Sequence, residues 1–234
     1  MATTLELGGT SVDVVRRDIK RVQLTVHPPT GRVRIAAPGR VALETLRLFA
    51  IAKLPWIRRQ QHRMQGQVRE TRRDFVDRES HYVWGRRYLM KVIEGGAAGV
   101  DLRPRTLLLA VRPGASTDER EAVLAKWYRR QVHDAAQVLL ERWARGLGVE
   151  VRGLRVRRMK TKWGSCSPNT GTVLLNTELA KKPAECLHYV VAHELLHLID
   201  RSHGPRFVAM LDRLMPRWRD TREMLNRLPL RAES

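Results

Sequence analysis

The sequence predicts an α+β fold, with a β-rich portion over residues 1–115 and a portion richer in helix over 116–234. Three observations carry that expectation. Short runs before residue 115 alternate apolar and polar residues, which is the period of a half-buried strand. One long stretch, 117–147, repeats its apolar residues at helical spacing. Beyond it, two further strand-like runs precede three helix-like ones.

Taken in order, Leu5, Leu7, Val12 and Val14 alternate with polar residues, as do Val22, Leu24 and Val26, then Val33 and Ile35. Short strands should therefore fill 3–37, with Pro28-Pro29-Thr30-Gly31-Arg32 as the turn between the last two. Leu43, Leu46, Phe49, Ile51 and Leu54 predict a helix over 42–65. Pro55 lacks the donor an interior turn needs and should kink or restart it. Strand-like runs return at 81–85, 87–93, 100–103 and 107–111, punctuated by Gly95-Gly96 and closed by Pro113-Gly114. The long helix carries Val123, Leu124, Trp127, Val132, Ala135 and Leu139, and Gly146 and Gly148 should stop it. An Arg-rich strand over 149–159 follows, then a second at 172–175 after the turn Pro168-Asn169-Thr170-Gly171. Helices are expected over 184–200, from Pro205, and from about Arg217 to Arg227.

Composition narrows the class. Hydrophobic residues make up 43% of 234, too many for a disordered chain. No apolar run is long enough to span a bilayer. Cys166 and Cys186 are the two cysteines, so no disulfide framework is expected. The opening Met1-Ala2-Thr3-Thr4-Leu5-Glu6 lacks the basic-then-apolar pattern of a signal peptide, and a cytoplasmic protein is expected. Lys and Arg total 44 against 24 Asp and Glu, a net charge of +20. Such a field attracts polyanions, nucleic acid first. A GC-rich genome would explain the choice of Arg over Lys, but not the scarcity of acids.

The chemistry concentrates in His193-Glu194-Leu195-Leu196-His197. Residues four apart share a helix face, so both imidazoles can hold one metal ion with Glu194 beside it as general base. Leu187, Val190, Val191 and Leu198 supply a buried side for that helix. A catalytic zinc needs a third protein ligand and one open position. His203 lies six residues on, where a continued helix would carry it about 240° round, away from the ion. The chain must turn first, and Asp200, Ser202 and Gly204 tolerate turns. Pro205 then suits the start of a new helix. Glu223 is the competing third ligand, ranked lower because the arginines around it mark an exposed face. Asp200 or a backbone carbonyl is expected to orient the imidazoles.

Each feature has a plainer reading. Two histidines and a glutamate can fall this way on an ordinary core helix, and His203 can be a polar loop residue. Cys166 is read as a small buried thiol rather than a ligand or nucleophile, and Cys186, on the apolar helix, more firmly so. Trp163-Gly164 before small polar residues reads as a tight turn rather than a strand core. Val173-Leu174-Leu175-Asn176 reads either as an edge that an extended peptide could join or as an interior strand.

Arg158-Met159-Lys160-Thr161-Lys162-Trp163-Gly164-Ser165-Cys166-Ser167 resembles a signature of the YgjP-like metallopeptidase-domain proteins. So do Asn176, Tyr189-Val190-Val191, the His193–His197 motif and His203, together with Leu54-Pro55-Trp56-Ile57 and Tyr82-Val83-Trp84-Gly85-Arg86-Arg87-Tyr88. The group resembles SprT-like and WLM zinc proteases, and His203-Gly204-Pro205-Arg206-Phe207 is similar to the element around the SprT third ligand. The resemblance implies a zincin-like catalytic portion, Zn2+ on His193, His197 and His203, catalysis by Glu194, and protein or peptide substrates. SprT-like proteins often have a longer insertion before the third ligand and a zinc ribbon, for which this chain has too few cysteines, so a DNA-associated protease of that type is an analogy. The His197-to-His203 spacing also equals that of metzincins, which want Gly where Asp200 stands.

The leading expectation is a zinc metallopeptidase. The alternative from a different class is a nucleic-acid-binding protein with a structural or vestigial zinc, resting on the charge and on Arg155, Arg157, Arg158, Lys160 and Lys162. Hydrolysis of non-peptide amides would use the same site chemistry.

Overall fold

A computed structural model describes residues 3–27, 31–65, 73–159 and 162–228, which form a mixed α+β protein. Two compact units divide the chain, one within 1–70 and the other within 71–231.

In the first unit, β1 (Thr3–Leu7) and β2 (Thr10–Arg16) are joined by Gly8-Gly9, both at positive φ, 55° and 79°. A two-residue hairpin of this twist asks for positive φ at both central positions, and glycine meets that without strain. With β3 (Gln23–His27) and β4 (Arg32–Ala37), these strands form a sheet ordered β1-β2-β4-β3, parallel only between β2 and β4. The expected turn between β3 and β4 lies, at 28–30, outside the described residues. Helix α1 (Leu43–Gln65) runs through Pro55 and packs Leu46, Ala50 and Ile57 into a core with Val12, Val14, Val33 and Ile35.

The second unit holds β5 (Ser80–Val83), β6 (Arg86–Glu94), β7 (Gly99–Leu102) and β8 (Thr106–Val111), in the order β5-β6-β8-β7. Trp84-Gly85 makes the β5–β6 turn, with φ of 48° and 78°. A side chain at Gly85 would meet Pro183 Cγ at 3.0 Å, and the Trp84 N–H donates to the Ala180 carbonyl at 2.7 Å. The hairpin tip is thereby tied to the segment that launches the motif helix. Helix α2 (Thr117–Leu147) begins with a reciprocal Ser116/Glu119 capping box and ends at left-handed Gly148, the cap chemistry that satisfies otherwise orphaned backbone groups.

The second sheet of this unit contains β9 (Gly153–Arg157), β10 (Gly164–Ser167) and β11 (Thr172–Asn176), ordered β10-β11-β9. A 3₁₀ turn over Thr177–Lys181 leads to α3 (Ala184–Leu196), then α4 (Pro205–Leu214) and α5 (Trp218–Arg227). One core joins Val83, Met90, Leu107 and Leu109 of the first sheet to Leu124, Tyr128 and Val132 of α2 and to Val173, Leu175, Leu187, Val191 and Leu195.

In that shared core α2 covers the apolar face of β5–β8, and the compact units divide at 70/71, where the sequence suggests 115. Other expectations also shift. Gly164–Ser167 is an edge strand rather than a turn, because its small residues let it lie close against α3. Val173–Asn176 is interior, with β10 on one side and β9 on the other. The motif helix ends at Leu196 instead of 200, and the Arg-rich strand is confined to 153–157. Among the described residues, no helix is long and apolar enough to cross a membrane.

Candidate metal centre

Helix α3 is apolar on nearly every side. Cys186, Leu187, Val191, Ala192, Leu195 and Leu196 are all at most 1% exposed, so its rotation is fixed by packing. His193 and Glu194 lie in its last turn, and His197 is the helical residue that caps it. The end tightens: the N–H groups of His197, Leu198 and Ile199 donate to carbonyls three residues back, at 3.2, 3.0 and 3.0 Å. This is the 3₁₀ closure that uses up orphan carbonyls at a helix terminus.

The chain then reverses. The Asp200 carboxylate accepts from the Ser202 N–H at 2.9 Å and from the Ser202 hydroxyl at 2.8 Å, a local bond that Asp makes readily in turns. These bonds depress the Asp200 pKa. Gly204 and Pro205 start α4. His203 is thereby brought back so that its Nε2 stands 3.1 Å from His193 Nε2. One ligand nitrogen from each of His193, His197 and His203 lies within 4.8 Å of the others. Phe207, 2% exposed, packs against all three rings, at centroid distances of 5.1, 5.0 and 4.8 Å.

The donor set suits a divalent ion. Nδ1 of His197 lies 3.2 Å from the Asp200 carbonyl. Donation there leaves Nε2 as the free lone pair, and the orienting partner is thus the backbone of Asp200, not its carboxylate. Burial, followed by the neighbouring imidazoles and Arg222, pushes His193 down to about 4. Burial also lowers His197. Neutral imidazoles are the ligating form. His193 Nδ1 is buried with no hydrogen-bond partner.

Glu194 is 6% exposed. Burial raises its carboxyl to about 7, against the opposing pull of Lys162 and of the Cys166 N–H, which donates to it. The Asn176 N–H donates to the Trp163 carbonyl at 2.9 Å, so in the alternating antiparallel pattern Gly164 and Cys166 turn their backbone groups to the open edge of β10. Gly164 permits the contact with the helix. A Cβ there would stand 2.7 Å from Val190 Cγ1 and 2.8 Å from Glu194 Cγ and Oε1.

Two clefts open on either side of the imidazoles. One, of about 460 Å³, is walled by Tyr189, Val190, Phe207, Leu211, Trp218 and Leu225, with Lys162 and Arg222 on its lining. The other, of about 510 Å³, runs along Gly164–Ser167 to Asn169 and Arg201. The sequence does not single out Lys162, Phe207 or Trp218 for these roles, whereas the Trp163–Ser167 segment, Gly164 included, is expected from the family resemblance to line the cleft, as it does. Glu223 stands apart from the cluster, paired with Arg227 on an exposed face. Burial drives both thiols to about 11, as inert cysteines require. Arg155 and Arg157 are exposed on β9, whereas Lys160 lies outside the described residues.

Two solved structures share local similarity with the chain. The metallopeptidase zymogen abylysin of Pyrococcus abyssi is 24% identical over 42% of this chain and 99% of its own, with a TM-score of 0.36. The metallopeptidase zymogen jannalysin of Methanocaldococcus jannaschii is 24% identical over 38% of this chain and 86% of its own, also at 0.36. No curated protein matches the chain. Residues 20–228 match the YgjP-like metallopeptidase domain, and the chain belongs to that family.

Proposed function

We propose that this protein is a zinc-dependent peptidase with a zincin-like core, in which His193, His197 and His203 hold the ion and Glu194 is the general base. The observation that carries the reading is the convergence of three imidazoles beside a buried carboxyl, between two clefts. A bound divalent ion supplies a Lewis acid that polarises a carbonyl and acidifies water. Phe207 and the Asp200 carbonyl fix the imidazole planes. Glu194, with its carboxyl near 7, suits both halves of a proton shuttle: it takes a proton from the attacking water and returns it to the leaving amine. The open edge of β10 offers main-chain groups to an extended substrate.

Two variants test the assignment. Zinc is measured by mass spectrometry on protein purified without added metal or a histidine tag, and hydrolysis is followed on a peptide library. Wild type should carry about one zinc per chain, the number a single three-ligand site holds, and His203→Ala much less. Glu194→Gln should keep the metal and lose about 10²–10⁴ in hydrolysis, the usual contribution of a general base. A fully active Glu194→Gln, or a folded wild type without metal, overturns the reading.

A further inference from the structure

The cleft walled by Tyr189, Val190, Phe207, Leu211, Trp218 and Leu225 is largely apolar beside the His193, Glu194 and His203 cluster. Two cationic side chains stand there, Lys162 from the lead into β10 and Arg222 from α5. The facing cleft adds a third, Arg201. The acid on either lining is Glu194 alone.

Arginine is abundant in this chain, so cations near a cleft need a sharper criterion than number. Setting supplies it, because with 44 Lys and Arg against 24 Asp and Glu many cations lack an acid wherever they lie. On and around α5, Arg217 pairs with Asp220, Arg219 with Asp212 and Arg227 with Glu223. Elsewhere Arg112, Arg120, Arg152 and Arg158 are each matched to a glutamate. Arg222 has no ion pair among the described residues. Its guanidinium carbon lies 5.9 Å from the Trp218 ring centre, and that ring is stacked on Tyr189 at 6.2 Å and 8°. Arg201 likewise has no ion pair among the described residues and donates to the Asn169 side chain at 2.9 Å, whereas the Lys162 charge is felt by the Glu194 carboxyl. Among the described residues other cations also lack an ion pair, but these three line the clefts. Arg219 lies closer to the same ring, at 4.6 Å, and the planar guanidinium of Arg222 beside it suits a carboxylate.

We propose that the cleft selects acidic peptides, with an apolar side chain seated against Phe207, Leu211 and Leu225 and a flanking Asp or Glu carboxylate received by Arg222 and Lys162. This rests on the peptidase reading of the same site. Arg222 is then a specificity residue that touches substrate.

The test uses the zinc-loaded full chain and blocked synthetic peptides sharing one Leu-Phe centre, flanked by Asp and Glu, by Asn and Gln, or by Lys. Hydrolysis is measured on wild type. Binding is measured by fluorescence anisotropy on Glu194→Gln, so that recognition is read without turnover. Acidic flanks should exceed the neutral ones by about tenfold in kcat/KM, the scale of one charge-assisted bond, with Lys flanks poorest. Arg222→Gln should remove most of that preference, and should do so through KM. Arg227→Gln deletes the same charge from the same helix but from a paired, outward residue, and should leave the preference intact. Equal use of acidic and neutral peptides, or equal effects of the two variants, overturns the proposal while leaving the peptidase standing. Arg222-dependent binding of the acidic peptide to zinc-loaded protein that cleaves no peptide would sustain the anion-selecting cleft and refute the peptidase. Absence of both binding and hydrolysis refutes both.

Discussion

Gly164 illustrates how a single residue sets the site. Its missing side chain lets β10 approach α3 until only 2.7–2.8 Å would separate an added methyl from Val190 and Glu194. Gly164→Ala should cost about 1–3 kcal/mol, the usual penalty of overpacking, and, on the proposed mechanism, should lower hydrolysis further by displacing Glu194 while sparing metal content, because the three imidazoles come from the end of α3 and the turn before α4. Urea unfolding, metal analysis and kcat/KM together check this, and a variant of wild-type stability would show that the strand yields freely. His81 carries a second consequence at this scale. It is 3% exposed in β5, and burial lowers its pKa from 6.5 despite the 3.0 Å contact with Glu79 that raises it. Below pH 6.5 the unfolded chain therefore takes up a proton that the folded one resists. Stability from this group is full above that pH and drains away as pH falls toward the lowered folded value. His81→Gln should flatten that part of the curve in urea titrations between pH 7.5 and 5, and an unchanged slope would remove His81 from the account.

At the scale of elements, what was legible followed from local periodicity and punctuation. Helix α2 matches the expected 117–147, because apolar spacing and a glycine stop reside in adjacent residues. The His-Glu-Leu-Leu-His stretch and the turn to His203 were legible for the same reason: a helix of known pitch must stop if a third imidazole is to come back. What remained illegible depends on partners distant in sequence. Gly164–Ser167 became a strand because β11 pairs with it and α3 covers it, neither of which a run of Gly, Ser and Cys announces. The α3 end was overread for a local reason, because its last N–H groups bond three residues back and the Asp200–Ser202 bonds then turn the chain. Asn176 is the long-range tie that holds the approach to β10. Its amide donates to the Met159 and Lys162 carbonyls at 2.8 Å each and accepts from the Met159 and Glu178 N–H groups at 3.3 and 3.1 Å. Asn176→Ala should cost about 2–4 kcal/mol, because two carbonyls lose their donor in a buried setting. It should also weaken hydrolysis through Lys162 and Gly164 while sparing metal content. Loss of the metal in a still-folded variant would instead place Asn176 in the support of the imidazoles.

For the whole molecule, the decisive fact is that its two hydrophobic clusters share no member. One gathers residues from Leu7 to Ile57, the other from Phe75 to Leu225. Strand content changes at the expected boundary of 115, whereas the core of the second unit continues across it: β5–β8 need α2 to cover Met90, Leu107 and Leu109. All three imidazoles, Glu194 and both clefts belong to the 71–231 unit. A unit of about that length buries roughly 70% of the surface its unfolded chain exposes, enough for independent stability. Residues 71–231 produced alone should therefore unfold in one cooperative transition and hold about one zinc per chain, as a complete three-ligand site would. Calorimetry and metal analysis on the excised piece and on the full chain make the comparison. Cooperative unfolding with metal bound would place the chemistry wholly in the second unit and free the first for a separate role. A non-cooperative or metal-free fragment would show that residues 1–70 complete a core that the hydrophobic clusters alone do not reveal.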